Sequence, residues 1–438
     1  MKQIITAKLK LVLTAKQKVL VRETTLAYRD ALNYTSNIAF DNEKSSNGAK
    51  LQTLVYRYLR SEFGLGSQMA CNVPRQVAAT YKTLWTKVRQ NAEAIKNGYT
   101  KKRYKGMDQP PKYVSRTVTL NYQRDYSFKA NQQVSLITLG GRIVVPYEGY
   151  SKHLNLIKES TKIGAAKIVY QRSSKTYYLM VSLELELPDI EPTQITRVAG
   201  VDVGQRYLAV ETDLSNKCKF YSGKEARHKA NRYHKARKTL QRKGTRSAKR
   251  RLIALSGRER RFIADINHQI SKQITKPNSL IGLENLTGIR ERTKSKSGKR
   301  ASKKQRRANR NKAKWSFAEL HSYIDYKAML NGSLVTKVSA HYTSQSCIKC
   351  GHTSKANRPN KGLTFHCECC GYELHADLLG SRNITLRALL IRQDWISTGI
   401  LSVCPDVSSE ETKAEILKRF SELRWSLDTS SPLLAGSY

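Results

Sequence analysis

Two cysteine pairs, Cys347-x2-Cys350 and Cys367-x2-Cys370, stand 16 residues apart, and nothing else in the chain restricts its fold as tightly. Thiolates at this spacing converge tetrahedrally on one Zn²⁺ in a ribbon. Gly351 and Gly371, directly after each pair, permit the tight knuckle turns. Four thiolates close the coordination shell, so the zinc is expected to stabilise the fold and leave chemistry to other residues. Cys369, His352 and His366 lie close enough in sequence to substitute as ligands. With five of the eight cysteines between 347 and 370, metal binding in a reducing compartment is expected rather than disulfides. Cys71, Cys218 and Cys404 read as ordinary thiols.

Seven residues past the last pair member stands Asp377, a hard oxygen ligand that a thiolate site has no use for. It opens the expected helix ADLLGSRNITLRALL, with Gly380, Ser381 and Ile384 on its side at helical spacing. Two further acids lie in apolar strand patterns. In VAGVDVG, alternation puts Gly200, Asp202 and Gly204 on one face and Ala199, Val201 and Val203 on the other. In SLIGLENL, Glu284 shares a face with Gly282. Glycines beside a carboxylate leave space above it, so both acids are expected in clefts.

The 79 Lys and Arg against 34 Asp and Glu leave a formal charge of +45, which calls for a polyanionic partner, nucleic acid above all. Three acids in such a protein fit a two-Mg²⁺ phosphodiester hydrolase, because hard cations take oxygen ligands and relieve the repulsion among the acids. Asp202, Glu284 and Asp377 are thus the candidate catalytic magnesium ligands; Cys347, Cys350, Cys367 and Cys370 are the candidate zinc ligands. Arg382 is a candidate phosphate contact or surface ion-pair partner, and the basic segments 216–261 and 290–314 are candidate backbone-binding surfaces.

Along the chain, residues 1–14 and 113–190 read as a β-barrel or sandwich, with a helical insertion at 15–112 in which Pro74 is expected in a first helical turn. After the linker around 188–194, strands and then alternating strand and helix at 196–342 and 374–395 indicate an α/β layer around a mixed sheet, interrupted by the cysteine segment 343–373. The tail 396–438 is expected to be peripheral or disordered. No run approaches about 18 apolar residues and no signal peptide is evident, so a cytoplasmic, nucleoid-associated location is expected.

At VDVG, RERRFIADINHQISKQI, GLENL, WSFAELHSYIDYKA, TSQSCIKCGH, CECCGY and HADLLGSRNI the sequence resembles the TnpB family, transposon-encoded RNA-guided nucleases related to type V CRISPR effectors. The resemblance is close over about 198–390 and architectural before that. It implies a multidomain α+β protein: a wedge-like β-barrel with a helical recognition insertion, then an RNase H-like (RuvC) nuclease domain with an inserted zinc ribbon. It also implies guide RNA and target double-stranded DNA as partners, with a short target-adjacent motif read by the protein. Cys369 departs from the family pattern. The alternatives are a nuclease-inactive RNA-guided regulator and a guide-independent transposase or DNA-binding protein. A tyrosine transposase is disfavoured, since none of the nine histidines lies two positions from another.

Overall fold

The computed structural model describes residues 1–98, 100–160, 162–287, 289, 301–314, 316–359, 363–402, 415, 418–425 and 432–434. The chain forms two compact units, 2–186 and 187–438, the latter joined by Met1.

In the first unit, strand β1 (Lys2–Leu11) is followed by helices α1 (Ala15–Asp41), α2 (Gly48–Ser61) and α3 (Ser67–Lys96). Strands β2 (Thr117–Leu120), β3 (Tyr126–Lys129), β4 (Gln133–Thr138) and β5 (Gly141–Gly149), helix α4 (Ser151–Glu159), and strands β6 (Lys162–Gln171) and β7 (Thr176–Glu186) complete it. The seven strands form one antiparallel sheet, β2-β6-β7-β1-β5-β4-β3. A bridge between Tyr122 and Tyr126 brings its two edges together and nearly closes it. Period-two alternation drives this closure: Tyr177, Leu179, Val181, Leu183 and Leu185 of β7 point inward beside Ala7, Leu9 and Leu11 of β1. Two expectations are corrected here. Pro74 lies inside α3 rather than in its first turn, so the Ala70 carbonyl loses its usual donor. The helical stretch ends at Lys96, where Asn97 caps it and Gly98 takes a left-handed φ of 70° and donates its N–H to the Ile95 carbonyl at 3.0 Å, and reciprocal hydrogen bonds between Asn33 and Tyr113 (3.0 and 2.7 Å) pin the returning chain.

The second unit is built on a five-stranded sheet, β10-β9-β8-β11-β12. Strands β8 (Arg197–Asp202), β9 (Tyr207–Asp213) and β10 (Cys218–Ser222) form an antiparallel meander. Strands β11 (Ser279–Glu284) and β12 (Leu334–Val338) run parallel to β8. Helices α5 (Lys224–Lys243), α6 (Arg246–Leu255) and α7 (Arg258–Ile274) lead into β11, and α8 (Lys303–Lys314) and α9 (Phe317–Leu330) into β12. Val201, Val203, Ile281 and Leu283 bury one sheet face against Ile270 and Ile274 of α7 and Leu320, Ile324 and Ala328 of α9. The other face receives helix α10 (Ala376–Thr398), whose buried residues recur on all its sides. Between β12 and α10 lies the cysteine segment, with the short hairpin β13 (Thr364–His366) and β14 (Glu373–His375).

Residues 403–414, 416–417, 426–431 and 435–438 of the tail lie outside the described residues, but the described part departs from its expected peripheral character. Strand β15 (Leu423–Trp425) pairs with β16 (Pro432–Leu434), and Leu423 and Trp425 pack into one apolar cluster with Cys347, Cys367, Leu379, Leu386 and Leu390. Two large side chains shielded from water outweigh the polar surroundings that made the segment read as solvent-exposed. Of the basic run 290–314, residues 290–300 lie outside the described residues; 303–314 form α8. No described helix is long and apolar enough to cross a membrane.

Candidate active site and metal centre

The parallel register places Leu283 opposite Val201, so Glu284 and Asp202 follow side by side at the carboxyl ends of adjacent strands. Neighbouring strands are about 5 Å apart. Both acids lie on the α10 face, and the glycines that share it explain how the helix comes so near. A Cβ on Gly200 would stand 2.3 Å from the Thr385 backbone nitrogen and 2.5 Å from the Ser381 carbonyl oxygen. A Cβ on Gly282 would meet Ala388 at 2.9 Å. The space above the glycines, expected as a cleft, is therefore filled by α10. Asp377 sits in the first turn of that helix, where the His375 ring accepts its backbone N–H at 3.3 Å. One turn on, a Cβ at Gly380 would lie 3.1 Å from an Asp202 carboxylate oxygen, so only glycine lets the helix start pass over the acid. The Ser381 hydroxyl lies within hydrogen-bond distance of the Gly200 carbonyl (3.0 Å) and the Thr212 hydroxyl (2.8 Å), locking α10 to the sheet.

Burial pushes the Asp202 carboxyl well above its ordinary range, and the charges of Glu284 and then Asp377 push the same way; Arg358 and the Val203 N–H oppose them. Glu284 is also raised by burial, against the Thr343 hydroxyl, which donates to it at 2.6 Å, and the Arg387 guanidinium. Arg387 is lowered to about 10 by burial, with Glu284 acting in the opposite direction. It donates to the Ser339 carbonyl and lies over the Phe420 ring, which fixes it behind Glu284. The three acids are less tightly drawn than the cysteines: among the described residues only the thiols bring three or more ligand atoms within 4.8 Å of one another. Two divalent ions about 4 Å apart need that wider spread. Three hard oxygen donors, with burial raising two of them and repulsion from its neighbours adding to the rise at Asp202, form a set that divalent cations would stabilise.

Sequence reasoning missed Arg358. It lies between the cysteine pairs, in a stretch whose periodicity signals nothing, yet its charge reaches Asp202. Arg382 turns elsewhere than expected: it is buried, donates to Tyr372 (3.2 Å) and Asn216 (2.6 Å), and covers the Trp425 ring. It is neither a phosphate contact nor a surface ion-pair partner, because those acceptors and that ring use its guanidinium as a strut.

Cys347, Cys350, Cys367 and Cys370 form the metal-binding cluster, with sulfur separations of 3.7 Å (Cys347–Cys370) and 3.5 Å (Cys350–Cys367). Gly351 and Gly371 take φ of 80° and 67°, and each donates its N–H to the first cysteine carbonyl of its pair at 2.9 Å. Burial raises the Cys367 thiol, but the Cys370 and Cys369 N–H groups outweigh it and bring it to about 7. Such a cluster is the donor set of a zinc site. Cys369 is exposed and His366 pairs with Glu373 at 2.9 Å; neither joins the cluster, nor does His352.

The second unit thus carries acids at the carboxyl ends of parallel strands and a four-cysteine knot leading into the helix above them. Residues 181–288 match the family model described as a probable transposase (OrfB_IS605), and residues 317–384 match the Cas12f1-like TNB domain. The resemblance to TnpB proteins is borne out. The chain is 23% identical over 293 residues to the CRISPR-associated endodeoxyribonuclease Cas12f1 of Sulfoacidibacillus thermotolerans, covering 63% of this chain and 64% of that one. It is 26% identical over 266 residues to the putative RNA-guided DNA endonuclease InsQ of Escherichia coli K12, covering 59% and 65%. A TnpB-like protein of Methanocaldococcus jannaschii is 35% identical over 133 residues, covering 30% and 44%. The chain thus spans less than two thirds of the length of these curated relatives. In fold it is similar to the mini-RNA-guided endonuclease CRISPR-Cas_phi3, at a TM-score of 0.50 and 10% identity over 88% of this chain and 92% of that one.

Proposed function

We propose that this protein is an RNA-guided DNA endonuclease that hydrolyses phosphodiester bonds at Asp202, Glu284 and Asp377. The observation that carries the reading is the meeting of these acids, from two parallel strands and a helix start, closely enough that Glu284 and Asp377 both act on the Asp202 charge. Their hard oxygen donors fit Mg²⁺, which when bound supplies Lewis acidity and charge neutralisation for phosphodiester hydrolysis. Thr343 holds one Glu284 oxygen, Gly380 lets the helix start come close over Asp202, and Arg358 brings positive charge to bear on Asp202. The four cysteines hold a structural zinc.

We read 187–438 as an RNase H-like, RuvC-type domain with the ribbon at 343–373, and 2–186 as the barrel and helical insertion that grip guide RNA and target DNA. The names of the relatives support this partner class. Target choice then rests on guide pairing and a short adjacent motif, while the exposed cations of α5 and α6 hold backbone. The test is plasmid cleavage in Mg²⁺ by protein purified with its co-expressed flanking RNA. Sequence-matched cutting that Asp202→Ala abolishes is the expected result. Cutting that survives Asp202→Ala, or needs no RNA, overturns the reading.

A further inference from the structure

Beside the three acids lies an aromatic group that the hydrolytic reading leaves unused. Asp202 pairs with Val210 of β9, and Val210 pairs with Phe220 of β10. Residues directly opposite each other in antiparallel strands project from the same face, so Phe220 shares the face of Asp202, two strands out, about 10 Å along the sheet. Its strand is the sheet edge, and the ring is 36% exposed. Tyr207 meets Phe220 edge-on with centroids 5.0 Å apart, and His375 meets the two rings at 5.6 and 5.2 Å. His375 is the residue that caps the helix of Asp377, so the aromatic group abuts the third acid directly. Neither Phe220 nor Tyr207 belongs to the buried apolar clusters of this unit, whereas the next residue, Tyr221, does. Core packing therefore does not account for them. Arg206, Lys224 and Arg227 are exposed around the same edge, against one acid, Glu225.

We propose that Phe220, Tyr207 and His375 form a stacking platform that holds bases of an unpaired DNA strand next to the cutting site. The proposal rests on the active-site reading above and adds to it the state of the substrate. Bases within a duplex have their faces covered by neighbours, while an unpaired strand offers them to aromatic rings, with cations tracking its phosphates. Rings at one sheet edge with cations around them fit that single-stranded form.

The experiment uses the full-length protein with its co-purified RNA, in Ca²⁺ in place of Mg²⁺, and a single-stranded oligodeoxynucleotide carrying one fluorescent adenine analogue. Phe220→Ala is expected to weaken binding about tenfold, the worth of one base–aromatic stack, and to abolish fluorescence quenching. The factor should be the same at low and high salt, since no phosphate contact is removed. Phe220→Trp should keep wild-type binding and Phe220→Leu should behave like the alanine variant; a leucine variant equal to wild type makes the ring a packing group and overturns the proposal. Asp202→Ala, assayed for cleavage in Mg²⁺, separates the two readings. If it still cuts, the active-site assignment fails; if it is inactive while Phe220→Ala binds and cuts like wild type, only the platform falls.

Discussion

Gly200 is the position where fold and chemistry are most tightly joined, and Gly200→Ala tests the join. The added methyl would stand 2.3 Å from the Thr385 nitrogen, 2.5 Å from the Ser381 oxygen and 2.6 Å from the Thr385 hydroxyl. Two of these are backbone atoms of α10 and cannot rotate away, so the helix must lift from the sheet. Overpacking in a tight core costs about 1–3 kcal/mol, and with backbone as the obstacle the upper end, about 3 kcal/mol, applies. In a unit of this size that lowers the melting temperature by on the order of 10 °C. The displaced helix carries Asp377, so cleavage should fall below what the folded fraction alone explains. Melting curves and plasmid cutting well below the midpoint provide the assay. Gly282→Ala is the comparison: its methyl meets the Ala388 side chain at 2.9 Å and the Ile384 side chain and carbonyl oxygen at 3.1 Å, no backbone atom as near as at Gly200, so it should cost less than Gly200→Ala. A Gly200→Ala protein that melts and cuts like wild type would refute the claim that helix approach, rather than an open cleft, is what this glycine serves.

The double change Cys347→Ser and Cys350→Ser should remove zinc and lower stability while leaving the three acids in place; a well-folded variant with wild-type zinc content refutes the closed-site assignment. Asp202→Asn should stabilise the metal-free fold at neutral pH and give no gain in acid. The folded state raises this carboxyl, so the wild type loses stability as pH rises out of the ordinary carboxylate range; chemical melts with chelator across pH check it. His321 is lowered by burial to about 4, against about 6.5 unfolded, so its contribution to stability should fall as pH drops through that window, and His321→Leu should flatten that part of the pH–stability curve. Arg197 binds the buried acids Glu211 and Asp213, at 2.5 Å and 3.2 Å, and Arg197→Ala leaves both without a cation, held only by the Tyr221 hydroxyl and the Lys217 N–H; urea melts should show a loss of about 3 kcal/mol, whereas an unchanged midpoint would make the pairing irrelevant to stability.

Strand alternation assigned Asp202 and Glu284 to the same faces as their glycines, and that geometry holds because period two is a property of the backbone alone. What filled those faces was not legible. Glycine beside an acid signals close approach but not by what, and the visitor is a helix more than 170 residues away from Gly200 in sequence. The cysteine spacing carried the metal cluster, because ligand spacing is a local constraint, but left Cys369, His352 and His366 open as substitutes until the fold set them aside. Arg358 and Trp425 owe their positions to long-range packing. No neighbour in sequence marks either one, so an arginine near the acids and a tryptophan under the knot appear only once the chain is folded. Arg382 shows the converse: proximity in sequence to Asp377 suggested solvent, and burial against Tyr372, Asn216 and Trp425 decided otherwise.

Helix α10 comes late in the chain, and a ribosome releases the chain from its N-terminus. A nascent polypeptide that already contains both strand acids and the whole ribbon still lacks Asp377 and the element that covers Gly200 and Gly282. If the three acids are the cutting site, as proposed, that site is completed only when this helix docks, and a product truncated before it would lack the third acid and leave Val198, Leu280 and the glycine-lined sheet face open to water, a target for proteolysis.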